Sequence, residues 1–142
     1  MLSPKGKTFN QKMAREFADA DEITFICGRY EGVDARVEEL ATDIISVGNY
    51  VLSGGELAAL TIMESATRLI PGVLEKEDAT SIESFASTKE TSETLEYPQY
   101  TRPKRFKNLS VPKVLLSGNH KEIEDWRQKN SIKLSDCDNI NM

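Results

Sequence analysis

The stretch GRYEGVDARVEELATDIISVGNYVLSGGE, residues 28–56, holds five glycines, two tyrosines and no proline. An apolar run, ITFIC (23–27), leads into Gly28, and a second, DIISV (43–47), leads into Gly48. A residue without Cβ takes positive φ, or lets another backbone or a ligand come close, at little steric cost. Bare backbone at the ends of apolar runs therefore has two readings. The glycines are ordinary turns, or they line a place where main chain meets a ligand.

The neighbouring patterns decide what kind of sheet these runs join. Phe9, Met13 and Phe17 recur every fourth residue, and Thr8-x-x-Gln11 resembles a capping box, so a helix is predicted over 9–20. Ile23 to Cys27 is nearly all apolar, as a strand buried on both faces should be. Val33, Val37 and Leu40 predict a helix over 33–41, and Asp43 to Val47 a second strand. Residues 56–70 make the strongest helix, with Ala59, Ile62, Met63, Ala66 and Ile70 on one stripe and Pro71-Gly72 as its stop. The order helix, strand, helix, strand, helix predicts an α/β fold with a parallel sheet. Ligands in such sheets sit beyond the carboxyl ends of the strands, where Gly28 and Gly48 fall.

The second half reads differently. Residues 75–96 carry seven acids against two lysines with little periodicity, and read as a mobile loop or linker. Residues 101–108, TRPKRFKN, carry four cations and no acid. Val111 to Leu116 reads as a short strand or extended segment. Asn119, with Glu122 three residues on, starts a helix whose apolar face includes Ile123 and Trp126. The tail from Ser135 reads as disordered.

Composition narrows the class. The chain has 142 residues and a net charge of −5, which argues against nucleic-acid binding over its whole surface and leaves room for a local basic patch. Two distant cysteines and one histidine suggest neither a disulfide framework nor a zinc site. The start, MLSPKGKTFNQK, has no apolar core of a signal peptide, and the expectation is a cytoplasmic protein that does not enter a membrane.

Each motif has a bland reading when taken alone. Gly54-Gly55-Glu56 is a turn and a helix start. Glu64 and Arg68 make a surface i,i+4 pair worth about 0.2–0.5 kcal/mol. Glu83 is a solvated charge, Tyr30 and Tyr50 are half-buried rings, and residues 102–107 are a solvated face. Neither the dinucleotide fingerprint nor the phosphate-loop spacing is present.

In combination the motifs say more. Leu2-Ser3-Pro4-x-Gly6, Cys27-Gly28-Arg29-Tyr30-Glu31-Gly32, Ser46-Val47-Gly48-x-Tyr50-Val51-Leu52-Ser53-Gly54-Gly55-Glu56, Arg68-Leu69-Ile70-Pro71-Gly72-Val73-Leu74 and Tyr100-Thr101-Arg102-Pro103 follow in order. This series closely resembles the bacterial tRNA (guanine-N1)-methyltransferases of the knotted SPOUT class, from Leu2 to about residue 133. The resemblance implies a deep trefoil knot in an α/β core at 1–74, a mobile catalytic loop at 75–98, part of a helical tRNA-binding segment at 99–134, and a tail at 135–142. It implies S-adenosylmethionine bound by Leu2, Ser3, Pro4, Gly28, Tyr30, Glu31, Ser46, Val47, Gly48, Asn49, Tyr50, Val51, Leu52, Gly54 and Gly55. It implies methylation of the guanine next to the anticodon, with Glu83 of a partner subunit as general base and Arg68 favouring the charge that develops on the base. The family more often has aspartate at the Glu83 position. The four cations Arg102, Lys104, Arg105 and Lys107 are the candidate RNA contacts, and tRNA and a second copy of the chain are the expected partners. A role for magnesium is not readable. The family's N-terminal strands and guanine-contacting loop have no counterpart, and the C-terminal domain is short, so the expectation is an N-terminally truncated chain. That departure keeps a second reading open, a non-catalytic module for cofactor binding and dimerisation. A third, an ordinary Rossmann oxidoreductase, lacks its fingerprint.

Overall fold

The computed structural model describes residues 1–76, 79–86 and 94–137. The chain divides into two compact units, Met1–Glu77 and Asp78–Met142.

In the first unit, strand β1 (Leu2–Thr8) pairs in parallel with the short strand β2 (Ile45–Ser46). The register shifts between Leu2 and Lys7, both of which face Ile45, so Ser3 to Gly6 form an irregular bulge between two attachment points. Lys7 N–H donates to Ile44 O at 2.9 Å, and Ile45 N–H to Met1 O at 2.9 Å. Gly6 permits this approach: a Cβ there would stand 2.4 Å from Ile45 N and 2.5 Å from Ile44 C and O.

Helix α1 (Gln11–Ala18) begins later than its capping-box signal predicts. Thr8 still belongs to β1, and Phe9 N–H donates to Ser46 O, so the sheet holds the chain until Asn10. Asn10 is extended and its Oδ1 accepts from Met13 N–H at 3.0 Å, which makes it the N-cap. Helix α2 (Glu56–Thr67) packs against α1. Ala14 of α1 and Ala58, Ala59, Ile62 and Ala66 of α2 are buried, Ile62 being the one large side chain among these five, and Ile45 of β2 is buried as well. The seam is narrower than the predicted stripe, since Met63 and Ile70 are exposed. Small residues let two helices approach closely, and one branched side chain fills what remains.

Two predicted elements of this unit change. Residues 23–27 form no strand: Leu2 N–H donates to Ile26 O at 3.0 Å, but one bond does not make a ladder, and Ile23 is exposed. The helix predicted at 33–41 is a 3-10 helix, Ala35–Leu40, capped by Asp34 through Arg36 N–H. Arg36 also binds the Asp34 carboxylate from its side chain and holds it below its ordinary range.

The second unit starts with helix α3 (Ala79–Ile82) and strand β3 (Thr94–Leu95), so the segment read as a mobile loop carries local structure where it is described. Ser84 Oγ accepts from Glu96 N–H at 2.9 Å, and Phe85 N–H donates to Thr94 O, ties that sequence periodicity does not reveal. Residues 87–93 lie outside the described residues. The basic stretch folds as a hairpin of β4 (Arg105–Phe106) and β5 (Leu109–Ser110), with Lys107 at φ +52 in the turn. Val111 to Leu116 is not a strand. Pro112 leads into a 3-10 helix, Lys113–Leu116, whose turn is closed by Leu115 N–H to Pro112 O and Ser117 N–H to Val114 O. Helix α4 (His120–Asn130) starts as predicted, with Asn119 Oδ1 accepting from Glu122 N–H at 3.4 Å. Its Trp126 meets Tyr97 and Tyr100 edge-on, with centroids 6.4 and 6.2 Å away. Strand β6 (Ile132–Lys133) pairs antiparallel with β3 and runs into helix α5 (Leu134–Cys137). The tail predicted from Ser135 therefore opens with a helical turn continuing from a paired strand, and residues 138–142 lie outside the described residues.

Candidate functional site

Three segments of the first unit meet around one cleft of about 440 Å³, within the range of roughly 300–1,000 Å³ typical of small-molecule sites. The β1 bulge contributes Leu2, Ser3 and Pro4. The loop after residue 27 contributes Gly28, Tyr30 and Glu31. The stretch after β2 contributes Ser46, Val47, Gly48, Tyr50, Val51 and Leu52, then Gly54 and Gly55 at the foot of α2. Of the predicted cofactor positions only Asn49 is outside the lining: it is exposed on the turn between Gly48 and Tyr50, both of which line the cleft.

Close approach explains why the loops are bare. A Cβ on Gly55 would stand 2.9 Å from Cys27 Cα and 3.3 Å from Leu2 Cβ. One on Gly48, which has φ +148, would stand 2.5 Å from the Tyr50 ring. The Tyr50 hydroxyl donates to Val47 O, folding the ring back over its own loop. Tyr30, by contrast, adopts φ +56 and is fully exposed, so its ring stands clear of the loop that carries it.

The glycine loops are also tied to each other. Gly55 N–H donates to Gly28 O at 2.9 Å, and Arg29 Nε donates to Glu56 Oε1 at 2.6 Å. Glu56 stands in the first turn of α2, where a carboxylate is favoured by the helix dipole. Its own backbone N–H and then the Arg29 guanidinium hold its carboxyl below the usual range. Gly32 N–H donates to Arg29 O, and Gly48 N–H to Ser46 Oγ. Three glycine amides are thus engaged inside the protein, and the foot of α2 already carries an anion. This is the opposite of a phosphate cradle, which needs open amides and no competing carboxylate.

The charges in the cleft point the same way. Lys5 pairs with Glu38 at 3.5 Å and Arg29 with Glu56, which leaves Glu31 as the lining acid without an ion pair among the described residues. The cleft therefore suits a ligand that has an apolar or aromatic body and carries positive charge.

Arg68, predicted as catalytic, is half-buried at the C-cap of α2 and is not part of the cleft lining. It follows the last helical turn, and the lining belongs to the opposite, N-terminal end of α2. Glu83, the predicted base, belongs to the second unit, half-buried just after α3. Arg102, Lys104, Arg105 and Lys107 are all exposed in the second unit. Arg105 and Lys107 are on the hairpin, with Lys107 Nζ 5.6 Å from the Phe106 ring centroid. Sequence reasoning missed Arg29 and Glu56 as the tie between the loops, because a pair 27 residues apart leaves no local pattern. Among the described residues no group of three or more histidine, cysteine, aspartate or glutamate side chains could hold a metal ion.

The family model described as tRNA (Guanine-1)-methyltransferase TrmD matches residues 1–139. The chain belongs to this family. The methyltransferase family brings with it the SPOUT class of fold, and the described residues mix helix and strand. Among curated relatives, the tRNA (guanine-N(1)-)-methyltransferase of Alkaliphilus metalliredigens is 55% identical over 135 residues, covering 94% of this chain and 53% of the relative. The protein of the same name from Carboxydothermus hydrogenoformans is 53% identical over 133 residues, covering 93% and 51%. That from Clostridioides difficile is 51% identical over 135 residues, covering 94% and 56%. The chain spans about half the length of the curated relatives it matches.

Proposed function

We propose that this chain carries the cofactor site and part of the RNA-binding surface of an S-adenosylmethionine-dependent tRNA (guanine-N1)-methyltransferase, which acts as a homodimer in the cytoplasm on the guanine next to the anticodon. The observation that supports this most is the cleft. Three of its glycine amides are engaged internally, its helix N-terminus holds Glu56, and Glu31 has no ion pair among the described residues. A cofactor with an adenine ring, no phosphate and a sulfonium charge suits that environment. When bound, it supplies an activated methyl group.

The residues of the chain would divide the work as follows. Gly28, Gly48, Gly54 and Gly55 would let the loops around the cleft close on one another where a Cβ would collide with protein atoms, so that main chain forms the cleft wall. Leu2, Val51 and Leu52 cover the ring and exclude water, and Glu31 faces the positive charge. Guanine N1 carries a proton and is a poor nucleophile until it leaves. The Glu83 carboxylate, reaching the site from the partner subunit, would accept that proton and leave N1 nucleophilic toward the methyl group that the bound cofactor would supply, with the thioether S-adenosylhomocysteine as leaving group. Arg68 would stabilise the negative charge that spreads onto the base. Arg102, Lys104, Arg105 and Lys107 would meet tRNA phosphates. A dimer is supported by α2, whose outer face exposes Leu57, Leu60 and Met63 at 64%, 56% and 47%. The trefoil knot belongs to the same proposal. Among the described residues no helix is long and apolar enough to cross a membrane.

The test is calorimetric titration of the chain with S-adenosylhomocysteine, followed by methyl transfer to tRNA with wild-type and Glu83→Gln protein. Saturable binding of one ligand per subunit and transfer that depends on Glu83 are expected. Absence of binding by a folded chain overturns the cofactor assignment. Unchanged transfer by Glu83→Gln overturns the general base.

A further inference from the structure

The second unit holds a cleft of its own, of about 460 Å³, between the 97–104 segment, the 3-10 helix and α4. Its chemistry is unlike that of the first. Three cations line it, Arg102 and Lys104 from the segment before the hairpin and Arg127 from α4, and among the described residues no acid lines it. Leu115, Leu116 and Ile123 give it an apolar wall. Tyr100, a residue 47% exposed, lines it with a ring braced edge-on by Trp126. The Arg127 guanidinium is stacked over the Tyr97 ring with Cζ 5.0 Å from the centroid, and its Nε is buried with no acceptor among the described residues. Among the described residues its ion pair is with Glu124, at a loose 3.6 Å and partly exposed.

Positive charge without a balancing acid calls for an anion. A braced, exposed ring beside an apolar wall calls for a planar group. One ligand class has both within a single unit: a nucleotide, with its base on Tyr100 and its phosphate between Arg102, Lys104 and Arg127. We infer that this cleft is a nucleotide subsite, occupied by one unpaired residue of the RNA substrate. The inference rests on the proposed tRNA reading for the source of the nucleotide, not for the chemistry of the cleft, which a free mononucleotide would also satisfy. It divides the basic run by role. Arg102 and Lys104 hold a nucleotide together with Arg127, a residue that the charge pattern of the run does not include. Arg105 and Lys107 lie on the hairpin, outside the cleft lining, and add only general attraction to phosphates.

The experiment uses the 142-residue chain and two probes. A fluorescein-labelled single-stranded RNA heptamer is followed by anisotropy across a salt series, and adenosine monophosphate by quenching of Trp126, the single tryptophan. Loss of base–aromatic stacking in Tyr100→Leu should weaken the heptamer about tenfold or more. Arg102→Gln and Arg127→Gln should each weaken it severalfold and each reduce the salt slope by about 0.7. Arg102 is exposed, so its replacement tests the site without disturbing packing. Arg105→Gln with Lys107→Gln should weaken the heptamer and leave the mononucleotide unaffected. Competition between the probes supports an RNA nucleotide in the cleft. Quenching by the mononucleotide with no heptamer binding keeps the nucleotide site and removes the RNA reading. Heptamer binding that changes less than twofold in all three cleft variants overturns the subsite and leaves the RNA reading standing. Binding of neither probe overturns both.

Discussion

Replacing Gly6 by alanine should loosen the first unit more than any other single methyl group. The added Cβ would lie 2.4–2.5 Å from three backbone atoms of Ile44 and Ile45, where ordinary contact begins at 3.4 Å. Backbone cannot rotate away as a side-chain tip can, so β1 and β2 must part by about 1 Å to restore normal contact distances. A shift of that size takes Lys7 N–H to Ile44 O and Ile45 N–H to Met1 O, both 2.9 Å, beyond hydrogen-bonding range. Each bond contributes about 0.5–1.5 kcal/mol net, and overpacking costs about 1–3 kcal/mol. The expected loss is about 3 kcal/mol, against a total of roughly 5–15 kcal/mol for a whole domain. With a urea slope of about 1.5 kcal/mol/M, the midpoint seen by circular dichroism should fall by about 2 M. Affinity for S-adenosylhomocysteine should fall with it, because the bulge between the two attachment points lines the cleft. Gly72→Ala is the control: it carries only a left-handed penalty at φ +83, meets nothing within 4 Å, and lies away from the cleft, so its folded form should keep the ligand. A Gly6→Ala protein within about 0.5 kcal/mol of wild type, binding the ligand equally well, would refute the reasoning.

Three further outcomes are expected. Ile62→Ala should lose about 3 kcal/mol in chemical denaturation, since Ile62 is the one large side chain fully buried among the described residues, and a loss below about 1 kcal/mol would mean that the α1–α2 seam packs otherwise. Asn10→Ala should cost about 1 kcal/mol of stability and Thr8→Ala much less, because Asn10 is the cap; the reverse order in thermal melts would restore the capping-box reading. Glu56 has a folded pKa below its ordinary 4.5, so the stability it confers is present above that value and is lost as pH falls through the folded one. Glu56→Gln should therefore be less stable than wild type at neutral pH and converge on it in acid, and parallel acid-denaturation curves would exclude the Arg29 tie.

What was legible in the sequence follows the range of the forces involved. The cleft loops were legible because glycine leaves a local mark wherever backbone comes close, as at Gly48 and Gly55. Helix α2 was legible because burial on one face imposes its period within a dozen residues, and the Asn119 cap because it acts over three. Strand β1 was not. Leu2 to Thr8 has no alternating pattern, and its strand form comes from pairing with Ile45 and Ser46 some forty residues on. The reverse failure befell residues 23–27, which have strand composition and no ladder. Arg127 was passed over for the same reason as Arg29: an i,i+3 acid, Glu124, makes it look solvated, and only the fold brings Tyr97 beneath it.

The outer face of α2 has a practical consequence. Burial of Leu57, Leu60 and Met63 against a second copy would link folding to association, so the stability of the chain would have no single value. Each tenfold dilution would then remove about 1.4 kcal/mol from the apparent free energy of unfolding. A melting curve recorded at micromolar protein and an assay run at nanomolar protein would report on different populations.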